Sequence, residues 1–244
     1  MSVFREIYKV LPREKYVYYA DNANCPYGGK SREFILGRSR AITDFLLREG
    51  ADIIVIACNT ATSAAVATLR EEYPEVRFIG MEPALKPAAL TTTTGVVGVL
   101  ATEATLKGDK YLSAKEKYGK TVKIAESVGK GFVEMVERGV LSGVEAEETV
   151  RRSLSPLIEA GADKIVLGCT HYPFLIDVIR SIAGEGVTVM DPAPAVAAHL
   201  RDVMLREGLI RNDAETSDGP GITLVSSGKG DSLERIYSLV INQL

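Results

Sequence analysis

The sequence predicts an α/β protein with two pseudo-symmetric lobes, each a mainly parallel sheet flanked by helices, and a cleft between them. Three observations lead to this prediction. Short β-branched runs alternate with longer segments of helical periodicity along the 244 residues, which is the pattern of parallel sheets. One segment of the chain is repeated further along. Two stretches rich in turn-forming residues mark crossings between the lobes.

The predicted strands are short apolar runs, each bounded by polar or turn-forming residues. None approaches the length of about 18 apolar residues that a membrane span needs. The runs are Tyr16–Tyr19, Ile53–Ala57, Arg77–Ile79, Val96–Leu100, Val122–Ala125, Lys164–Leu167, Val187–Met190 and Ile222–Val225.

The predicted helices are the longer segments that lie between these runs. Gly50 and Gly161 follow two of them, and glycine readily adopts the left-handed conformation that closes a helix C-terminus. The helices are Ser31–Glu49, Ala61–Glu72, Lys130–Glu137, Ala146–Glu159, Phe174–Ala183 and Ala195–Arg206.

The crossings between the lobes are predicted at Glu82–Gly95, which holds two prolines and four consecutive threonines, and at Asp191–Pro194. If both are crossings, residues 1–90 and 192–244 together form the first lobe. Residues 91–191 then form the second.

Composition excludes several classes of function. The net charge is −3 and the basic residues are scattered, which argues against nucleic-acid binding. The first residues lack the apolar core of a signal peptide, so we expect a cytoplasmic protein with no membrane association. Three cysteines are too few for a disulfide framework and are expected to be thiols.

The most informative feature is the repeat. Residues 50–58, GADIIVIAC, align without a gap with residues 161–169, GADKIVLGC. Each copy reads as a helix end, a turn, a buried strand, a small residue and a cysteine, followed by polar residues and another helix. The repeat therefore places Cys58 and Cys169 at equivalent strand ends.

This placement suggests a chemistry. Ligands of open α/β sheets gather outside the carboxyl ends of the strands, so two related lobes can present the two thiols to one cleft from opposite sides. Inversion of an α-carbon needs a base on one face and an acid on the other. A free thiol has a pKa near ~8.5, and the N-terminus of the following helix favours the thiolate.

Other uses of these residues were weighed. A lone cysteine is most often buried packing, which is a poor explanation of the repeated Cys58 and Cys169. Cys25 has no repeat and is interpreted as a loop residue near the cleft. A metal site on Cys58, Cys169 and His171 lacks an obvious fourth ligand and a CxxC spacing, so no metal is expected. His199 lies in an apolar helical stretch and is expected to be structural.

Four motifs carry a family resemblance. Residues 57–62, ACNTAT, and 168–173, GCTHYP, resemble the paired signatures of glutamate racemases. Residues 21–28, DNANCPYG, resemble the substrate loop of that family, and residues 136–139, VERG, resemble the segment that supplies a carboxylate near the second cysteine. The motifs occur in the order that the family shows.

The resemblance implies that Cys58 and Cys169 are the acid/base pair, with His171 and Glu137 as supporting catalytic groups. It implies glutamate as substrate, no pyridoxal phosphate or other cofactor, no metal, a homodimer, and a supply of D-glutamate for peptidoglycan and so for cell shape. The substrate-binding residues it implies are Tyr27, Gly28, Asn59, Thr60, Thr105, Thr170 and His171.

One departure from the family keeps alternatives open. The family normally opens with a strand that ends in Asp-Ser-Gly, whereas this sequence begins with Met1 at a point just after that motif. We therefore expect the strand, its Asp and its Ser to be absent. The alternatives are a related two-cysteine racemase or isomerase acting on aspartate, a hydantoin or maleate, and an inactive relative that binds glutamate.

Overall fold

The strands occur where the apolar runs predict them. The structure, a computed structural model, describes residues 1–211, 221–228 and 231–241. Its strands are β1 (Tyr16–Ala20), β2 (Ile53–Val55), β3 (Arg77–Ile79), β4 (Val96–Ala101), β5 (Lys123–Val128), β6 (Lys164–Gly168), β7 (Thr188–Met190) and β8 (Ile222–Ser226).

Every strand pairing among the described residues is parallel, which confirms the predicted α/β class. The central sheet has the order β5-β4-β6-β7. Two smaller sheets pair β1 with β8 and β2 with β3. Because β1 and β8 are far apart in sequence, their pairing brings the two ends of the described chain together.

The helices lie on both sides of these sheets, and no helix in the described part of the chain is long and apolar enough to cross a membrane. Gly50 and Gly161 end two of them with φ angles of 81° and 85°, which confirms their predicted capping role. The helices are α1 (Ser2–Val10), α2 (Arg32–Arg48), α3 (Asn59–Glu72), α4 (Leu85–Thr91), α5 (Glu103–Leu106), α6 (Asp109–Tyr118), α7 (Phe132–Glu137), α8 (Val144–Glu159), α9 (Ile176–Ala183), α10 (Ala193–Glu207) and α11 (Asp231–Ile241).

The central sheet is buried on both faces. Successive strand residues point to opposite faces, so Leu100 and Leu167 enter the core formed with α8 and α9, whereas Val99 and Val166 enter the core formed with α4 and α6. All four side chains are fully buried. This rigid sheet fixes the position of the residue that follows β6.

The smaller sheets have their own apolar layers. Helix α1 packs on α10 through Val3, Ile7 and Leu200, β1 and β8 pack against α11, and β2 and β3 pack against α3. In contrast, Leu85 and Ala88 of α4 pack into a core of the central sheet, although both precede residue 91.

A buried carboxylate ties the threonine-rich crossing to the central sheet. Asp163, in the turn before β6, accepts hydrogen bonds from the Thr93 backbone N–H at 2.7 Å and from the Thr93 and Thr94 hydroxyls at 2.8 and 3.1 Å, as well as from the Thr92 hydroxyl. Burial opposes ionisation of Asp163, but these hydrogen bonds outweigh it and hold its pKa below the usual range. The crossing is therefore anchored.

Candidate active site

A cavity of about 750 Å³ opens where the smaller sheets meet the end of the central sheet. It runs along β1 and β2 and reaches the loops that follow β2 and β6. Of the residues predicted to act on or bind a substrate, those that line it are Tyr27, Gly28, Cys58, Asn59, Thr60, Glu137, Cys169, Thr170 and His171.

Cys58 lies at the N-terminus of α3. It is the N-cap residue, and its Sγ accepts a hydrogen bond from the Ala61 backbone N–H at 3.5 Å. Burial raises the pKa of the Cys58 thiol, and the backbone amides of Ala61 and Thr60 partly oppose that rise. The helix end therefore favours a thiolate here, as the sequence predicted.

Cys169 follows β6 directly. Burial raises the pKa of its thiol to about 12, although the backbone N–H of His171 favours the thiolate; the nearby Cys58 adds to the increase. Both sulfurs therefore hold their protons at neutral pH unless a neighbouring base removes them.

His171 is the base nearest to Cys169. Its Nε2 lies 2.8 Å from Oε1 of Glu137, and its Nδ1 lies 3.9 Å from Sγ of Cys169. When Nε2 carries the proton and donates it to Glu137, Nδ1 is left as an acceptor facing the thiol. A carboxylate, an imidazole and a thiol in this order form the arrangement that activates a cysteine. The contact gives Glu137, which ends α7, a physical role.

Asp21 organises the loop that carries Tyr27, a role that sequence reasoning missed. It accepts hydrogen bonds from Arg38 at 2.8 and 3.0 Å, from Asn24 at 3.0 Å and from the Tyr27 hydroxyl. Burial opposes its ionisation, but these partners, Arg38 first, lower the pKa of Asp21 to about 2. Arg38 is on α2, so no local spacing in the sequence signals this anchor.

Three threonine hydroxyls form a closed cluster behind the cavity wall. The Oγ1 atoms of Thr60, Thr102 and Thr105 lie 3.1, 3.3 and 2.9 Å apart in pairs. Thr60 and Thr102 line the cavity, but Thr105 does not; it is buried and lies 3.5 Å from the Gly168 carbonyl oxygen. The structure thus places Thr105 behind the predicted binding residues. Thr102, which sequence reasoning missed, stands at the wall.

Asn59 is the unsatisfied polar group of the site. Its side chain is 4 % exposed, and neither its amide nitrogen nor its amide oxygen has a hydrogen-bond partner among the described residues. An unpaired buried polar group costs about 1–3 kcal/mol. Since Asn59 lines the cavity, a polar ligand bound there can remove that cost.

The same architecture occurs in known proteins. Residues 2–200 match the family described as Asp/Glu/Hydantoin racemase. The glutamate racemase of Roseiflexus sp. (strain RS-1) is 43% identical over 228 residues, which is 93% of this chain and 83% of that protein.

Two solved structures illustrate the likeness of the fold. Glutamate racemase isoform RacE1 from Bacillus anthracis has a TM-score of 0.87 at 28% identity, over 99% of this chain and 89% of that one. Escherichia coli glutamate racemase in complex with L-glutamate and the activator UDP-MurNAc-ala has a TM-score of 0.84 at 29% identity, over 98% of this chain and 90% of that one.

Proposed function

This chain belongs to the Asp/Glu/Hydantoin racemase family, and from that premise we propose that it interconverts L-glutamate and D-glutamate by proton transfer between two thiols, without a cofactor. The observation that carries the proposal is that Cys58 and Cys169, the ends of the repeated segment, line the same cavity. The choice of glutamate is supported by the relatives that are named glutamate racemases and by the L-glutamate in the Escherichia coli complex.

The proposed chemistry balances within the two thiols and the substrate. One thiolate takes the α-proton from one face, so an S–H bond forms as the C–H bond breaks and the electron pair moves into the α-carboxylate. The other thiol gives its proton to the opposite face, so a new C–H bond forms and that sulfur becomes a thiolate. The reverse direction exchanges the roles of base and acid.

His171 solves the problem set by the raised pKa of Cys169. In the proposed mechanism its Nδ1 takes the thiol proton, and Glu137 stabilises the resulting imidazolium through the 2.8 Å contact with Nε2. Cys58 has no histidine among its printed hydrogen-bond partners. It relies on the amides at the start of α3, of which Ala61 is the nearest measured donor.

The substrate carboxylates are proposed to bind to the polar wall beside the thiols. The unpaired amide of Asn59 supplies two N–H donors, and Thr60 and Thr170 stand next to the two cysteines along the chain. Tyr27 and Gly28 close the wall at the loop that Asp21 anchors.

The proposal is tested by incubating the chain with L- or D-glutamate in deuterated buffer. Circular dichroism follows inversion, and proton NMR follows loss of the α-proton signal. We expect both with either enantiomer, and we expect Cys58→Ser and Cys169→Ser to abolish inversion while the far-ultraviolet spectrum stays native. Cys25→Ser is the matched control and keeps the activity.

Two results would contradict the proposal. A folded chain that exchanges no α-proton, but whose Tm rises with glutamate, is a binding protein. A chain that inverts aspartate, or isomerises maleate or a hydantoin, faster than it inverts glutamate belongs to another branch of the family.

The wider setting is also a proposal, based on the same family membership. We propose that the D-glutamate serves peptidoglycan synthesis in the cytoplasm and that the chain works as a homodimer. Analytical ultracentrifugation of the purified chain tests the oligomeric state, and a monomer at working concentration would overturn it.

A further inference from the structure

Three metal-binding side chains meet at one edge of the cavity. A sulfur of Cys25, a carboxylate oxygen of Glu137 and a ring nitrogen of His171 all lie within 4.8 Å of one another. Each of the three residues is half-buried and lines the cavity. They come from the loop after β1, the end of α7 and the loop after β6, so no sequence spacing announces the cluster.

We propose that this cluster is a zinc-binding site. Sulfur, imidazole nitrogen and carboxylate oxygen are the donors that Zn²⁺ takes, at about 2.0–2.3 Å. Those bond lengths place tetrahedral ligand atoms about 3.3–3.8 Å apart. The Glu137 and His171 donors, now 2.8 Å apart, need only separate slightly. The Cys25 sulfur needs to approach by about 1 Å at most to satisfy the same geometry.

The geometry favours Cys25 over the two other cysteines as the sulfur ligand. Glu137 faces Nε2 of His171, whereas Cys169 faces Nδ1, the opposite nitrogen of the ring. One ion cannot take both ring nitrogens of one imidazole. Among the described residues, neither Cys58 nor Cys169 belongs to the group of donors within 4.8 Å.

Three protein ligands leave the fourth position of a tetrahedral ion open, and here it faces the cavity. A bound ion occupies Nε2 of His171 and the carboxylate of Glu137, so it interrupts their contact. In an active racemase, and this consequence rests on the proposed function, zinc therefore inhibits turnover.

The site is tested with Co²⁺ as a spectroscopic probe that replaces Zn²⁺. The full chain is treated with a chelator, kept reduced with a phosphine and titrated with Co²⁺. We expect one equivalent to produce a thiolate-to-cobalt charge-transfer band and the intense visible bands of a tetrahedral ion. Added Zn²⁺ should remove both.

Variants identify the ligands. Cys25→Ser should remove the charge-transfer band and weaken Zn²⁺ binding by at least about tenfold, and Glu137→Gln should weaken it similarly. Cys58→Ser is the matched control and should leave the spectrum unchanged. In turnover assays, Zn²⁺ should inhibit the unmodified chain, and Cys25→Ser should resist inhibition while keeping its activity.

The spectra decide the proposal whether or not the chain is a racemase, because they need no turnover. A folded chain with no cobalt bands overturns it. So does a charge-transfer band that survives Cys25→Ser but disappears in Cys58→Ser or Cys169→Ser. A band that depends on Cys25 in a chain without racemase activity leaves the metal site standing and removes the proposed function.

Discussion

At the scale of single residues, His171 links two groups that act on different atoms of its ring. Glu137 fixes the proton on Nε2, and this leaves Nδ1 to face Cys169. Since burial raises the pKa of Cys169 to about 12, the thiolate at neutral pH depends on this histidine. The effect of Glu137 is therefore indirect: it positions His171 and stabilises its charged form.

Glu137→Gln should lower kcat by about 10²-fold with little change in Tm. Glutamine keeps the size and an acceptor oxygen but not the negative charge, so the imidazolium of His171 is less stable. The limb of the kcat/KM pH profile that reports thiol deprotonation should move to higher pH. Glu134→Gln, an exposed change on the same helix, should behave like the unmodified chain. A normal pH profile for Glu137→Gln contradicts this role.

Sequence reasoning found the residues that follow the repeated strands and missed those that long-range contacts define. Cys58 and Cys169 were predictable because the repeat places both at strand ends. Asp21 was not, since its partner Arg38 lies on a different element. Cys25 was interpreted as a loop residue because its neighbours Glu137 and His171 are far away in the chain.

At the scale of elements, the position before each cysteine is small for a measurable reason. Gly168 of β6 pairs with Ala101 of β4, and a Cβ at Gly168 would lie 2.5 Å from the Cβ of Ala101. That separation is a clash, so the two strands approach closely only because residue 168 is glycine. The close approach fixes where Cys169 leaves the sheet.

Gly168→Ala should destabilise the fold by about 1–3 kcal/mol and lower kcat, because the strands must separate beside Cys169. Urea unfolding and steady-state kinetics measure the two effects. Adding Ala101→Gly should restore part of the stability. Gly186→Ala, where an added Cβ meets no heavy atom within 4 Å, is the control. Equal stability of the two alanine variants would disprove the close-packing argument.

The strands were more predictable than the helices. Each strand is a short apolar run that the core encloses, such as Val96–Ala101. Helix α4 was predicted as part of a crossing because it contains Pro87, but Pro87 lies in the first turn, where no backbone donor is needed. Helix α6 buries only Tyr111 among its residues, which leaves too weak a periodic signal to identify.

At the scale of the whole molecule, the division into residues 1–90 plus 192–244 and residues 91–191 remains a proposal. The pairing of β1 with β8 supports it, because this sheet joins the two ends of the described chain. The central sheet lies entirely between residues 96 and 190, which also supports it. The residues that the structure does not describe, 212–220, 229–230 and 242–244, belong to the first of these units.

Acid should destabilise the whole fold through two carboxylates. Asp21 and Asp163 both have a lower pKa when folded than the ordinary value of 3.8, so the folded protein binds fewer protons than the unfolded chain. Their stabilisation is complete above about pH 4 and is lost as the pH falls through the folded value of Asp21, about 2.

Asp163→Asn should cost about 1–3 kcal/mol at neutral pH and flatten the pH dependence of the free energy of unfolding below pH 4. Urea titrations at a series of pH values measure both. Asp52→Asn changes the equivalent residue of the other repeat copy, which is exposed, and should do neither. If the two variants behave alike, the threonine crossing contributes nothing to acid stability.

The cluster of Thr60, Thr102 and Thr105 has one more consequence. Each hydroxyl can donate to either of its neighbours, so the three O–H bonds can circulate in two opposite senses with the same heavy-atom positions. Reversing the circulation turns a donor at the cavity wall into an acceptor at almost no cost in structure. A wall whose polarity reverses in this way can serve a molecule and its mirror image equally well.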